Sequence, residues 1–182
     1  MLDWQNDNTW TLFLDRDGVI NKRNFDGYIT AVEDFEFLPE AEAAISGLSR
    51  MFNRIIVVTN QQGIGKNLMT ERNLFEIHSY MSDRVYEAGG KIDKCYFAPN
   101  LIGAEDDMRK PGPVMAELAK MEFPEIEFER SIMIGDTDSD ILFGRNLGMK
   151  TVKVISTEKT KEKADLEVNS LFEFLKYLNN EI

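Results

Sequence analysis

The sequence has only one cysteine and one histidine in 182 residues. A single cysteine, Cys95, excludes an internal disulfide and a structural zinc site built on cysteines. The longest apolar runs have the length of a strand, so no transmembrane span is expected. The first residues contain no basic region followed by an apolar one, which argues against a signal peptide. These features predict a cytoplasmic location.

Positive charge is also scarce. The chain has 21 basic and 32 acidic residues, for a net charge of −11. This balance disfavours binding to nucleic acid or to an anionic membrane, and nothing in the sequence indicates an oligomeric state. A small anionic substrate is still compatible if basic side chains gather locally. Five residues are candidates for such a cluster: Arg16, Lys22, Arg23, Arg109 and Lys110.

Strand and helix patterns alternate, which predicts an α/β fold with a parallel sheet of about five to six strands. The predicted strands are 12–14, 54–59, 95–98, 131–135 and 151–155. The predicted helices are 41–51, 70–88, 114–121, a segment ending near 148, and 170–178. The length predicts a single domain over 1–182, with an N-terminal tail over 1–10 and a linker plus terminal helix over 156–182.

The end of the first strand is the most informative position. Asp15 and Asp17 follow the apolar run 12–14, and Gly18 allows the backbone to turn. Open α/β sheets bind their ligands at the carboxyl ends of the strands. Carboxylates beside a hydrophobic strand are costly unless a cation or a reaction needs them. We therefore expect chemistry at this turn.

Polar side chains also follow three other predicted strands. They are Thr59 and Asn60, then Arg109 and Lys110 beyond a long loop, and then Asp136 and Asp140. Because the carboxyl ends of parallel strands share one edge of a sheet, these groups can meet in one crevice. Carboxylate oxygens suit Mg²⁺, and a hydroxyl, backbone N–H groups and a lysine suit a phosphate.

Each pair also has a simpler structural interpretation. The aspartates could cap turns or helices, the Thr-Asn pair could end a strand, and the Arg-Lys pair could be solvated. Four such pairs in order, each on the expected element, favour the functional interpretation. His78 lies in line with Leu74 and Met81 at helical spacing, which predicts a packing residue and not a catalyst.

This ordered set resembles the motifs of the haloacid dehalogenase superfamily of phosphohydrolases. The matching pieces are Asp15-x-Asp17-Gly18, Thr59-Asn60-Gln61, Lys110-Pro111, and Gly135-Asp136-Thr137-Asp138-Ser139-Asp140. The resemblance covers residues 11–155 and implies a three-layer, Rossmann-like fold. By resemblance, Asp15 attacks phosphorus to form an aspartyl-phosphate, and Asp17 serves as general acid and base. Thr59 and Lys110 would bind the phosphoryl oxygens.

The resemblance also implies a Mg²⁺ cofactor. Its ligands would be the Asp15 carboxylate, the Asp17 backbone carbonyl and Asp136, and Asp140 would orient a metal-bound water or Lys110. The metal would offset the repulsion between the Asp15 carboxylate and the phosphate dianion.

The motif spacing points to a branch without a cap domain. About forty residues separate the first two motifs and about fifty the next two, which leaves no room for an inserted domain. The extended motifs resemble the branch of heptose bisphosphate phosphatases and histidinol-phosphate phosphatases. Segments 26–29 and 34–37 are more similar to the heptose enzymes. The implied substrate-binding residues are Arg16, Asp26, Gly27, Tyr28, Asn60, Gln61 and Arg109.

One segment departs from this branch. Its members usually carry a zinc loop of Cys and His before the lysine motif, but residues 95–108 contain only Cys95 and no histidine. We therefore expect no zinc and a mobile loop over 99–108. 

The sequence predicts hydrolysis of a small sugar phosphate, with a heptose 1,7-bisphosphate as the leading substrate. Histidinol-phosphate phosphatase is the nearest alternative. A polynucleotide 3′-phosphatase shares similar motifs, although the acidic composition opposes it. A phospho-acceptor signalling domain also has Asp, Thr and Lys on a doubly wound sheet, but its acceptor Asp stands alone on a central strand.

Overall fold

The computed structural model describes residues 8–104 and 107–181 and has a six-stranded sheet at its centre. The strands are β1 (Thr11–Leu14), β2 (Arg54–Asn60), β3 (Lys94–Ala98), β4 (Ser131–Gly135), β5 (Lys150–Val154) and β6 (Leu166–Val168). All neighbouring strands are parallel, in the order β3-β2-β1-β4-β5-β6. The predicted α/β class is confirmed, and β1 lies between β2 and β4, so its carboxyl end is at the middle of the sheet edge.

Six α-helices in the described part of the chain flank the sheet or its edge. They are α1 (Ala41–Leu48), α2 (Gln62–Gly65), α3 (Glu71–Glu87), α4 (Val114–Glu122), α5 (Asp138–Asn146) and α6 (Leu171–Leu178). Thr70 caps α3, because its side chain accepts a hydrogen bond from the Asn73 amide. α1 ends three residues before the predicted position, where tight turns over 49–52 redirect the chain into β2. No cap domain is inserted among the described residues.

The strand side chains alternate between two apolar layers. Leu12 and Leu14 pack into the layer with α1, α3 and α6, whereas Phe13 packs on the opposite face with α4 and α5. This follows from the two-residue period of a strand. His78 is buried in α3, as predicted for a packing residue. Burial, followed by the nearby Arg16 charge, lowers the pKa of His78 to about 3.

The sixth strand lies inside the segment predicted to be a linker. Asp165 anchors it, since its carboxylate accepts hydrogen bonds from the amide and hydroxyl of Thr151 in β5. Three residues with an acidic centre, Leu166–Val168, give too short a pattern to predict a strand. Residues 1–7 of the predicted tail and 105–106 of the predicted mobile loop lie outside the described residues. None of the helices described is long and apolar enough to cross a membrane.

Candidate active site

The turn after β1 places two carboxylates at the middle of the sheet edge. The Asp15 amide donates to the Ile134 carbonyl of β4 at 2.9 Å, so the backbone of Asp15 is still hydrogen-bonded to the sheet. Gly18 has φ of 93°, and a Cβ there would lie 2.3 Å from Asp136 Oδ2. Only glycine allows the turn and its close approach to the next carboxylate.

Lys110 reaches the same edge from the loop before α4. Its Nζ donates to Asp15 Oδ1 at 2.8 Å and to the Val58 carbonyl at 2.6 Å, and lies 2.6 Å from Asp140 Oδ1. Burial alone would lower the pKa of Lys110, but the charges of Asp140 and Asp15 outweigh it and raise the pKa. The ammonium is therefore a fixed positive charge beside Asp15.

Asn60 holds Lys110 in place through the backbone. Its Oδ1 accepts from the Lys110 amide at 2.9 Å, and its Nδ2 donates to the Lys110 carbonyl at 3.2 Å. The Lys110–Pro111 peptide bond is cis. Asn60 lines the cavity. Both ends of its side-chain amide bond to Lys110, which fastens the loop before α4 to the end of β2.

Asp17 is held by donors from three residues. Arg16 Nη2 donates to both carboxylate oxygens, at 2.7 and 2.9 Å, and Asn21 Nδ2 and Gln61 Nε2 each donate at 2.9 Å. Burial would raise the pKa of Asp17, but the charge and hydrogen bonds of Arg16, with those of Asn21 and Gln61, lower it below its usual range. Asp17 is therefore a carboxylate of fixed orientation.

Two residues predicted to bind substrate hold other side chains of the site in position. Arg16 is fully buried and does not line the cavity, because its guanidinium is turned into the protein to hold Asp17. This corrects the prediction for Arg16. Gln61 does line the cavity, but its Nε2 bridges Asp17 and the Thr59 hydroxyl, at 2.9 Å to each. It thereby fixes the Thr59 hydroxyl at the end of β2.

Within residues 8–104 and 107–181, one group of acidic side chains is close enough together to hold a metal. Carboxylate oxygens of Asp15, Asp136 and Asp140 lie within 4.8 Å of one another. Burial raises the pKa of Asp15 to about 6 and, with the Asp15 charge, that of Asp136 to about 7. Gly135 makes room for the group, since a Cβ there would lie 2.0 Å from Asp140 Cβ. Hard oxygens crowded in this way fit Mg²⁺.

Asp140 is less free than the other two carboxylates. It accepts from the amide and hydroxyl of Thr137 in the capping box of α5, at 3.0 and 2.6 Å, and pairs with Lys110. Its position therefore suits the predicted role of orienting Lys110.

Arg23 lies directly against the carboxylate group. Its Nη2 donates to Asp136 Oδ1 at 2.8 Å and to the Asp17 carbonyl at 2.9 Å, and lies 3.8 Å from Asp15 Oδ2. Its Nη1 donates to Glu158 Oε1 at 3.2 Å. From the sequence, Arg23 is only one of five residues that could form a basic cluster. No local pattern relates it to Asp136, which lies 113 residues later in the chain.

Above these groups lies an open cavity of about 520 Å³. The predicted residues Asp26, Gly27, Tyr28 and Arg109 all line it. It is also lined by residues to which the sequence analysis gave no role: Asn24, Phe25, Lys66, Thr137, Ser139 and Glu158. Lys66 lies 5.4 Å from the centre of the Tyr28 ring. Its place just after the glycine-rich segment 63–65 is a signal that could have found it.

Comparison with known proteins gives a consistent result. The model of the HAD-hydrolase-like family matches residues 107–176. The chain is 36% identical over 173 residues to the D-glycero-alpha-D-manno-heptose-1,7-bisphosphate 7-phosphatase of Campylobacter jejuni, which covers 93% of the chain and 95% of the relative. It is 33% identical over 169 residues to the Mycobacterium bovis protein of the same name, with 91% and 89% covered.

A solved structure shares the fold. It is the D,D-heptose 1,7-bisphosphate phosphatase from B. bronchiseptica complexed with magnesium and phosphate, with a TM-score of 0.85 and 22% identity over 95% of this chain and 99% of that one. The curated relatives, which match over most of their length, and the family model show that the chain belongs to the haloacid dehalogenase superfamily and is a phosphatase.

Proposed function

We propose that this phosphatase removes the 7-phosphate of a D-glycero-D-manno-heptose 1,7-bisphosphate in a Mg²⁺-dependent reaction. The observation that carries the proposal is the convergence of Asp15, Asp17 and Lys110 on the floor of one open cavity. Its rim carries further cations, Lys66 and Arg109, that suit a second phosphate. The named activity of the relatives supports the same substrate.

In the proposed mechanism, Asp15 is the nucleophile. Lys110 fixes one Asp15 oxygen, which leaves the other to attack phosphorus and form an aspartyl-phosphate. The Lys110 ammonium and the Thr59 hydroxyl, which Gln61 orients, stabilise the charge on the phosphoryl oxygens. These groups are in place before substrate arrives, so little reorganisation is needed.

Asp17 carries the protons. Its lowered pKa suits the second step, in which a carboxylate takes a proton from the attacking water. The first step needs a protonated Asp17 to donate to the leaving alkoxide. An approaching phosphate dianion raises the pKa of Asp17, because two negative charges disfavour its ionised form, and so promotes that protonation.

The metal would be held by the Asp15 and Asp136 carboxylates and the Asp17 carbonyl. When bound, Mg²⁺ would supply positive charge that keeps the acids ionised and offsets repulsion between Asp15 and the phosphate. We do not include zinc in the proposal. Residues 95–108 contain one cysteine and no histidine, so the segment lacks the ligands of a tetrahedral zinc site. Metal analysis that finds one tightly bound zinc per chain would contradict this.

A phosphate-release screen tests the substrate. It should include both anomers of the heptose 1,7-bisphosphate, the heptose 7-phosphate and histidinol phosphate, with Mg²⁺ present. We expect the highest kcat/KM for one bisphosphate anomer. A preference for histidinol phosphate would reject the proposed substrate while keeping the phosphatase chemistry. Asp15→Asn protein, purified in parallel, controls for contaminating phosphatases.

A further inference from the structure

Arg23 occupies the position of a cation at the proposed metal site. Its Nη2 contacts oxygens of Asp15, Asp17 and Asp136, which are the same three residues that supply the proposed Mg²⁺ ligands. The positive charge of the guanidinium offsets the repulsion between the Asp15 and Asp136 carboxylates, which lie close together in a buried position. Arg23 is thus an internal counter-ion for the carboxylate group.

The guanidinium and the metal exclude each other. Mg²⁺ requires its oxygen ligands at about 2.0–2.1 Å in nearly octahedral geometry. Oxygens gathered so tightly around the ion cannot keep a hydrogen-bonded nitrogen among them, and the two positive charges repel. Binding of Mg²⁺ therefore requires the Arg23 side chain to leave.

Arg23 is placed so that it can leave without disturbing the sheet. It belongs to the connection after β1, not to a strand, and its side chain is 21% exposed. Its other contact is to Glu158, which lies in the connection after β5 and is 37% exposed. Arg23 also lines the open cavity, which gives its side chain room to move away from the carboxylates.

We propose that Arg23 is an intramolecular competitor for the metal, which covers the three oxygens in the metal-free protein and lowers the apparent affinity for Mg²⁺. The inference rests on the proposed function only for the identity of the metal ligands. The apparent Kd for Mg²⁺ equals the Kd of the open site divided by the fraction of molecules in which Arg23 has left the site. Arg23 thereby sets the Mg²⁺ concentration at which the phosphatase becomes active. When Mg²⁺ is scarce, its charge offsets the repulsion between the buried carboxylates.

Calorimetric titration of the full chain with MgCl₂ tests the proposal. Arg23→Gln should tighten the Kd for Mg²⁺ by about tenfold, because the competitor is gone. Lys22→Gln is the matched control, since it removes the same charge from the neighbouring residue, whose side chain is 54% exposed and pairs with Glu36. Its Kd should stay within about twofold of the wild-type value, because exposed charges are screened by solvent and salt.

A second variant covers the case in which Arg23→Gln fails to fold. Arg23→Lys keeps the charge but loses the fork that contacts several oxygens, so it should also tighten the Kd, by a smaller factor. An unchanged or weaker Kd in the folded Arg23 variants would overturn the proposal. Equal tightening in Lys22→Gln would also overturn it, since net charge would then explain the effect.

Displacement itself can be observed with ¹⁵N-arginine labelling. The Arg23 Nε–H signal, identified by its loss in Arg23→Gln, should exchange slowly without metal, because this nitrogen is buried, and rapidly once Mg²⁺ is added. If Mg²⁺ binds but the exchange rate of the Arg23 signal stays the same, the proposed competition is refuted and the proposed metal ligands are not. Failure of wild-type and variant proteins to bind Mg²⁺ at all would refute the metal ligands of the proposed function as well.

Discussion

The floor and the rim of the cavity are built differently. On the floor, Asp15 and Lys110 are buried, and Lys110 is held by Asp15, Asp140 and a carbonyl of β2. On the rim, residues 24–27 are exposed, and Phe25 is 62% exposed. Buried charges must be paired, which fixes their geometry, whereas water can satisfy exposed ones. The floor therefore suits fixed chemistry and the rim suits substrate choice.

The largest expected effect comes from the nucleophile on the floor. Asp15→Asn should lower kcat by at least about 10⁴-fold, because an amide cannot form the phosphorylated intermediate. The variant should stay folded, since asparagine has the same shape and its side chain loses a charge that burial disfavours. Steady-state phosphate release and circular dichroism check both points. Asp83→Asn on the exposed face of α3 is the matched control, and a folded Asp15→Asn enzyme with near-normal kcat would remove Asp15 from the mechanism.

Removal of the floor cation should affect both activity and stability. Lys110→Met should lower kcat by about 10²–10³-fold, since a phosphoryl-oxygen ligand is lost. It should also lower the free energy of unfolding by about 3 kcal/mol, because Asp15 and Asp140 lose their buried partner. Denaturant unfolding measures the second effect. An unchanged free energy of unfolding would mean that Asp15 and Asp140 do not need the charge of Lys110. The floor would then resemble the rim, where charges need no protein partner.

The layer beneath the floor should show a pH effect on stability. The pKa of His78 is about 3 in the folded protein and ordinarily 6.5, so at pH values between these two only the unfolded chain binds a proton at this residue. The buried neutral His78 therefore stabilises the folded state fully at pH values above the unfolded pKa. As the pH falls from 7 to 5, the free energy of unfolding decreases by about 2 kcal/mol. His78→Leu should lack this loss.

The comparison of His78→Leu with wild type isolates the histidine. Asp15 and Asp136 have raised pKa values, so the folded state binds their protons first and they favour stability as pH falls, but they are present in both proteins. Urea unfolding at pH 7 and pH 5 gives the difference. Parallel curves for the two proteins would show that His78 does not carry this pH dependence.

The smallest effect is expected on the rim. Arg109→Gln should raise KM for the bisphosphate by about tenfold, the value of one charge-assisted hydrogen bond, with kcat nearly unchanged. KM for the heptose 7-phosphate, which lacks the second phosphate, should not change. Arg72→Gln removes the same charge from an exposed site on α3 and controls for long-range attraction. Equal KM increases for both substrates would place Arg109 at the reacting phosphate and not at the second one.

Sequence reasoning succeeded where a residue's surroundings follow from local pattern. Asp15 follows β1 and Thr59 lies near the end of β2, two strands whose apolar runs are unmistakable, and the parallel order brings those ends together. It failed for Arg16, because arginine after a strand is usually exposed and only the packed structure shows its guanidinium turned inward to Asp17. It also assigned no position to Lys66 on the rim.

The sequence by itself determined the α/β class, the strand ends and the phosphatase motifs, because each depends on hydrophobic periodicity and short-range spacing. Only the tertiary structure decided how the charges pair. Arg23 and Asp136 are 113 positions apart, and Lys110 and Asp15 are 95 apart, yet each pair is within hydrogen-bond distance. Such partners are selected by the folded sheet edge, where burial makes every uncompensated charge costly, and no local pattern records them.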